Sequence, residues 1–265
     1  MKKRKKDTLL WKMTHSDTGT VSYVFGSIHL RDERVYFRID EVKALINKCD
    51  VFIAEYPLDD AGSGDVMSAL QLPEGKHINS YLPEKKYVKL RKYLYKSFNI
   101  DLDRIGFFRP MVIENMITES IFKNDYEFPM DIVLWNYAKN LGKETLGAET
   151  TESQVRIMKR FSIKKQLKSL MEIGRNTKRY RKKIKKLISL YCDQNIKELH
   201  RKTLKSLGKM KDVLVHKRNI DIVETFAEHS VNSSVFLAVG AGHLLGKKGI
   251  IKLLKEKGYK VKPIY

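Results

Sequence analysis

Short apolar runs alternate along this chain with longer stretches of helical periodicity, and polar turns punctuate them. Residues 9–14 and 21–25 flank the polar stretch Ser16-Asp17-Thr18-Gly19-Thr20 and read as a hairpin. Residues 40–47 carry Val42, Leu45 and Ile46 at the spacing of a short amphipathic helix, and Val51-Phe52-Ile53-Ala54 reads as a buried strand ending in Glu55. A Gly-, Ser- and Asp-rich loop is expected around 60–65, placed to lie over a site. Residues 82–122 are helical except near Phe107-Phe108-Arg109-Pro110. Proline suits a first turn and not a helix interior, so a new helix is expected to start at Pro110. A helix over 130–140 is stopped by Gly142, and a strand follows over 144–148. The stretch 156–207 is helical and basic, 212–229 is helical, and 235–239 is a strand. A βαβ-like end closes the pattern, with a helix over 249–257 and a strand over 259–261. The alternation predicts one α/β domain spanning 1–265, with a central sheet flanked by helices and a basic helical insertion at roughly 156–211.

What ends the apolar strands is the chemically informative part. Val21-Ser22-Tyr23-Val24-Phe25 runs into Gly26-Ser27-Ile28-His29, and Val235-Phe236-Leu237-Ala238-Val239 runs into Gly240-Ala241-Gly242-His243. A glycine at a strand end permits a sharp turn or a close backbone approach. The residues that follow lie where the chain leaves the sheet, which is where open α/β folds gather ligands. Glu55 and Glu149 end the two intervening strands, so parallel strands would bring two imidazoles and two carboxylates to one edge. Two histidines and a carboxylate are a ligand set for a divalent metal with an open position for water. A carboxylate at the end of a buried strand must in any case be paired, coordinated or neutralised.

Each residue also has a plainer reading. A lone histidine at a strand end is commonly a hydrogen-bonded structural group. Glu55 suits a turn cap or a lysine partner, and Glu149 a helix N-terminus ahead of Glu152 and Gln154. The repetition of the strand–Gly-x-x-His unit is what favours the functional reading. Arg218 and Asn219, opening a helix after His216-Lys217, are further candidates. A permanently charged guanidinium can hold a carboxylate or a developing oxyanion, and an amide can orient a substrate carbonyl or a neighbouring group. His15, His77, His200, His216 and His229 have no comparable context and read as structural or exposed.

Composition narrows the class. Hydrophobic residues make up 42% of 265 residues, enough for a real core, and no stretch approaches the roughly 20 apolar residues of a membrane span. The basic head Met1-Lys2-Lys3-Arg4-Lys5-Lys6 is not followed by an apolar signal segment, so no export signal is expected and the location expected is cytoplasmic. Cys49 and Cys192 are the only cysteines, which argues against a disulfide framework or a cysteine zinc site. No G-x-S-x-G nucleophile elbow, P-loop or zinc-finger pattern is present. The net charge of +21 is concentrated between Arg156 and Arg218, in runs such as Lys178-Arg179-Tyr180-Arg181-Lys182-Lys183-Ile184-Lys185-Lys186. A solvated helix face explains such a run, and nonspecific polyanion contact is the functional alternative.

The chain resembles the TraB/GumN family, related to the TIKI metalloproteases and the pheromone-shutdown proteins. The resemblance rests on Leu10-Trp11-Lys12, Gly26-Ser27-Ile28-His29, Ala54-Glu55, Gly147-Ala148-Glu149, Arg218-Asn219 and Gly240-Ala241-Gly242-His243, closing with Gly258-Tyr259-Lys260-Val261. Ser27 and Ala148 stand where the family usually has threonine and leucine. The resemblance implies an active centre of His29, His243 and Glu55 on a divalent metal, manganese or cobalt rather than zinc, with Arg218 and Asn219 lining it. The wider clan is similar to the erythromycin-esterase and ChaN-like folds. The expected function is metal-assisted hydrolysis of a peptide, or of a small ester or amide, with Arg218 on the oxyanion and Asn219 positioning substrate. Glu55 and Glu149 can exchange the roles of ligand and general base. The alternatives are a metal-independent, esterase-like hydrolase and a non-catalytic protein that binds or sequesters peptides.

Overall fold

Among the described residues, 7–208 and 211–265 of this computed structural model, six strands form one mixed sheet in the order β4-β3-β5-β2-β1-β6. The basic head of the chain and residues 209–210 of the expected insertion lie outside the described residues. Strands β1 (Leu10–His15) and β2 (Val21–Ser27) form the expected antiparallel hairpin, with Gly19 at φ +72° supplying the left-handed turn position. Strands β3 (Val51–Ala54), β4 (Glu144–Gly147) and β5 (Val235–Gly240) run parallel to one another, and β5 runs parallel to β2. The last strand, β6 (Tyr259–Ile264), is antiparallel to β1 and so shares the direction of β5. The helix between β5 and β6 therefore closes a true β–α–β crossover, as the sequence pattern implied.

The chain divides into two compact units. The first comprises the described residues of Met1–Leu58, Asp125–Thr151 and Leu187–Tyr265, and it contains the whole sheet. Its helices include α1 (Ile39–Asn47), which packs on the helix Met130–Asn140, and that second helix also lies against β3, β4 and β5. Phe52 and Phe236 are register partners on β3 and β5. Their rings stack with centroids 5.9 Å apart, and Trp135 approaches Phe52 edge-on at 6.2 Å. All three are essentially excluded from water. Burying aromatic side chains of this size stabilises by roughly 1.5–3 kcal/mol each, which accounts for the uninterrupted apolar character of these central strands.

The second unit comprises Asp59–Asn124 and Glu152–Lys186 and is helical. The expected loop at 60–65 is a 3-10 turn, Leu58–Gly62, that leads directly into α2 (Gly64–Leu70). Val66 and Ala69, three apart, are buried, and this apolar spacing outweighs the loop-forming composition before it. Helices α3 (Glu84–Phe98), α4 (Leu102–Ile105) and α5 (Pro110–Glu119) follow. Asn99 in a left-handed conformation ends α3, and Pro110 opens α5 as its fixed φ favours. The α5 residues Ile113 and Ile117 share a core with Leu90, Leu94, Leu170 and Ile173.

Numbering the remaining helices in order gives α6 (Met130–Asn140), α7 (Thr151–Arg160), α8 (Ile163–Arg175), α9 (Thr177–Cys192) and α10 (Ile196–Leu207). A π-helical turn, Asp212–His216, runs into α11 (Lys217–Ser230), and α12 (Ile250–Glu256) completes the set. No helix among the described residues is long and apolar enough to cross a membrane.

Candidate functional site

The two Gly-x-x-His stretches leave neighbouring strands. In the parallel β2–β5 ladder Gly26 lies opposite Val239 and Ser27 opposite Gly240, so the two turns begin one residue apart in register. They are also packed together. A Cβ on Gly26 would lie 2.7 Å from Leu244 Cδ1 and 3.1 Å from Ala241 Cα, and only glycine leaves room there for the second turn. The buried Tyr191 hydroxyl donates to the Gly26 carbonyl at 2.9 Å.

Glu55, the first residue after β3, turns its carboxylate toward the second of these turns. Its Oε1 accepts the Gly240 N–H at 2.7 Å, and a Cβ on Gly240 would come within 3.1 Å of the same oxygen. Pairing between β3 and β4 continues past the strand ends, with the Glu149 N–H donating to the Glu55 carbonyl at 3.0 Å. The two glutamates are thus held side by side.

One guanidinium serves both. Arg218 Nη2 lies 2.7 Å from Glu55 Oε2 and 2.6 Å from Glu149 Oε2, and its Nε donates to Glu149 Oε2 at 2.7 Å. Arg218 reaches them from the first turn of α11, just after the π-helical turn, a distortion common where helices carry function. The side chain of Glu149 is 2% exposed and that of Glu55 25%, so solvent meets the pair at Glu55.

The environment drives the two carboxyls apart. Burial works to raise Glu55, but His243, Arg218 and the Gly240 N–H outweigh it and hold the group at about 2. Burial raises Glu149 above the usual carboxylate range, and Arg218 only partly offsets it while Glu55 and Asp221 add to the rise. Between two carboxylates the Arg218 guanidinium is held more firmly protonated than usual, although its own burial opposes this.

His243 completes the cluster. Its ring is almost fully buried. Nε2 faces Glu55 Oε1 at 3.8 Å, and Nδ1 lies 2.6 Å from Asn219 Oδ1. Burial lowers the affinity of this imidazole for a proton, opposed by Glu55 and reinforced by Arg218 and His200. Asn219 is wholly buried, and its Nδ2 donates to the carbonyls of His243 and Lys248. Asn219 therefore orients the imidazole and the turn that carries it.

His29 has a different setting. Its side chain is 56% exposed, and Nδ1 lies 2.9 Å and 3.0 Å from the two oxygens of Asp131, in the first turn of α6. The structure joins Glu55, Glu149, Arg218, Asn219 and His243 directly and sets His29 in a dyad with Asp131. Besides Asp131, two residues escaped the sequence reading. Tyr56 follows Glu55, and its phenol is pushed up by burial and by the charges of Asp131 and Glu55, with Arg218 opposing, so one hydroxyl feels both halves of the arrangement. His200, on α10, donates from Nδ1 to the Gly242 carbonyl at 3.0 Å, and Thr203 packs near the same glycine. The only trace of this in the sequence is their separation by three residues, which puts both on one helical face.

Imidazole nitrogen and carboxylate oxygen are suitable donors for a divalent ion. Among the described residues, however, no three His, Cys, Asp or Glu side chains are gathered closely enough to hold one. The cluster offers a pair of donors, His243 Nε2 and Glu55 Oε1, and His29 does not complete a set of three with them.

A family model described as the TraB/PrgY/gumN family matches residues 9–263. The chain belongs to that family. Curated proteins similar to this TraB/PrgY/gumN chain include Metalloprotease TIKI2 of Danio rerio, 22% identical over 96% of this chain and 60% of the relative. Metalloprotease TIKI homolog of Amphimedon queenslandica is 22% identical over 96% and 61%, and Metalloprotease TIKI1 of Homo sapiens 22% over 91% and 59%. The chain spans about three-fifths of the length of the curated relatives it matches. No solved structure matches it.

Proposed function

We propose that this TraB/PrgY/gumN chain is a metalloprotease-like hydrolase that cleaves peptides, with small esters or amides as lesser substrates. The observation that carries the reading is the placement of His243 Nε2 opposite Glu55 Oε1 at 3.8 Å, beside a guanidinium that two carboxylates hold in place. The similar proteins named metalloproteases support the reaction class.

In this reading His243 accepts the proton of the attacking water through Nε2. Glu55, held at about 2 and so ionised at neutral pH, stabilises the imidazolium that results. Arg218 places fixed positive charge where the oxyanion develops, in a setting that needs no reorganisation because Glu149 anchors it. A divalent ion, manganese or cobalt rather than zinc, would be held by the same His243 Nε2 and Glu55 Oε1, which would then serve as ligands in place of general base and partner. Its contribution would be to acidify bound water and polarise the scissile carbonyl. A second reading keeps the same residues without a metal, and the gathering of two donors rather than three favours it.

The test is cleavage of a peptide library by the purified protein with added manganese, after chelator treatment, and with His243→Ala. The expected result is turnover that His243→Ala abolishes. Loss in chelator assigns the ion to the reaction, and retained ester cleavage in chelator selects the metal-free form. Elemental analysis of wild type beside His243→Ala and His29→Ala reads metal content directly. Peptide binding without turnover under every condition would leave a sequestering protein in place of an enzyme.

A further inference from the structure

Asn219 has no exposed surface, so no water competes for its amide. One end of that amide lies 3.1 Å from the His243 carbonyl oxygen and 2.6 Å from the Lys248 carbonyl oxygen. Carbonyls only accept, so this end is the NH2 group, and the amide oxygen is the end 2.6 Å from His243 Nδ1. Turning the amide over would set its oxygen against two carbonyl oxygens at those distances and leave its donors facing the ring. An amide oxygen cannot donate. The hydrogen in the contact must sit on Nδ1, which leaves Nε2 of the neutral ring as a bare lone pair.

Near that lone pair lies another acceptor. Glu55 Oε1 is 3.8 Å away and already accepts the Gly240 N–H. Two acceptors facing each other cannot bond to one another. They are satisfied only by something electropositive set between them, such as the hydrogens of a water molecule or a cation.

We propose that Asn219 is a positioning residue that locks His243 as its Nδ1–H tautomer, so that Nε2 and Glu55 Oε1 form a paired acceptor for the hydrolytic water. The catalytic meaning of this lock rests on the hydrolase reading, whereas the tautomer itself does not. The second turn is held by the same means. Asn219 ties the His243 and Lys248 carbonyls together, and His200 holds the carbonyl of Gly242. The lock therefore fixes the direction of the ring as well as its proton.

The experiment is long-range proton–nitrogen NMR on protein labelled with 15N in its histidine rings, with the His243 signals assigned by their loss in His243→Ala. The expected result is His243 in the Nδ1–H form, the unprotonated shift falling on Nε2. Asn219→Leu, which cannot accept from Nδ1–H, is expected to lose that tautomer. If the protein hydrolyses peptides, Asn219→Leu should lower kcat by roughly 10–100-fold with KM nearly unchanged, as loss of a ligand-orienting partner does. An Nε2–H ring in wild type overturns the proposal, whether or not the variants fold. A folded Asn219→Leu that retains the Nδ1–H form overturns it as well. An Nδ1–H ring in a protein without hydrolytic activity would sustain the lock and remove the function proposed above.

Discussion

Gly26 and Ala241 meet face to face, the first residue of one glycine–histidine turn against the second residue of the other, with no room for a methyl group between them. The two motifs are thus a single packed unit. Gly26→Ala should destabilise the protein by about 1–3 kcal/mol, the usual cost of overpacking, with the denaturant midpoint lowered and the m-value unchanged. Gly62, with open space around its Cα, is the matched control, and its alanine variant should sit close to wild type.

Arg218 carries the electrostatics of the cluster. Removing it with Arg218→Met leaves Glu55 and Glu149 facing each other with their shared cation gone. The expected loss is about 3–5 kcal/mol, typical of breaking a buried pair. Combining Arg218→Met with Glu149→Gln should recover part of it. A double-mutant cycle on unfolding free energy gives the coupling, and strictly additive losses would contradict the shared-guanidinium geometry.

The two glutamates should respond to pH with opposite signs. Glu55 is depressed from 4.5 to about 2, so its contribution to stability is complete above about 4.5 and is lost as pH falls toward about 2. Glu149 is raised, so its ionisation disfavours the folded state and its effect grows as pH rises through and beyond 4.5. Acid unfolding of Glu55→Gln should therefore show a shallower slope below pH 4.5 than wild type, whereas Glu149→Gln should gain stability relative to wild type as pH rises above 4.5. Parallel curves for all three proteins would refute the assignment.

The two thiols should differ in reactivity. Burial pushes Cys49 up to about 12 despite the nearby Lys143 amine, and its side chain is shut off from solvent. Cys192 is also raised, chiefly by burial, but is only half-buried. Iodoacetamide at neutral pH should label Cys192 slowly and Cys49 only on unfolding, as mass spectrometry would show.

The cations of α9 are mostly turned to solvent. Lys178, Arg179, Lys182, Lys183, Lys185 and Lys186 are exposed, whereas Arg181 is withdrawn onto the Phe98 ring, 4.9 Å from its centroid. If this face holds heparin or nucleic acid, the affinity should fall steeply with rising salt. Affinity that stays flat across the salt range would show that these cations act only as a solvated face.

Much of this architecture was legible because periodicity reports burial. Ile188 and Tyr191, picked out by helical spacing, are buried in α9, and Phe52 and Phe236 sit in the heart of the sheet. Glu55, Glu149 and His243 were legible for a second reason: a charged or imidazole side chain straight after an apolar strand needs a partner. Arg218 could be named as a candidate, but its bridging role depends on α11 lying beside two strands distant in sequence. Asp131 was hidden for the same reason. It opens α6, 102 residues from the histidine it binds, and nothing local marks it. His200 looked ordinary because its partner is a backbone carbonyl, which leaves no mark in composition.

Strands β2, β3, β4 and β5 all point the same way and hand the chain over at one rim, to Ile28, Glu55, Ala148 and Ala241 in turn. Below that rim the side chains of β3 and β5 are dry and interlocked. Above it the four strands deliver His29, Glu55, Glu149 and His243 on turns that the contact of Gly26 with Ala241 ties to the interior. Closing the interior and aiming these side chains are therefore one and the same packing event, so a change that loosens the rim disturbs both.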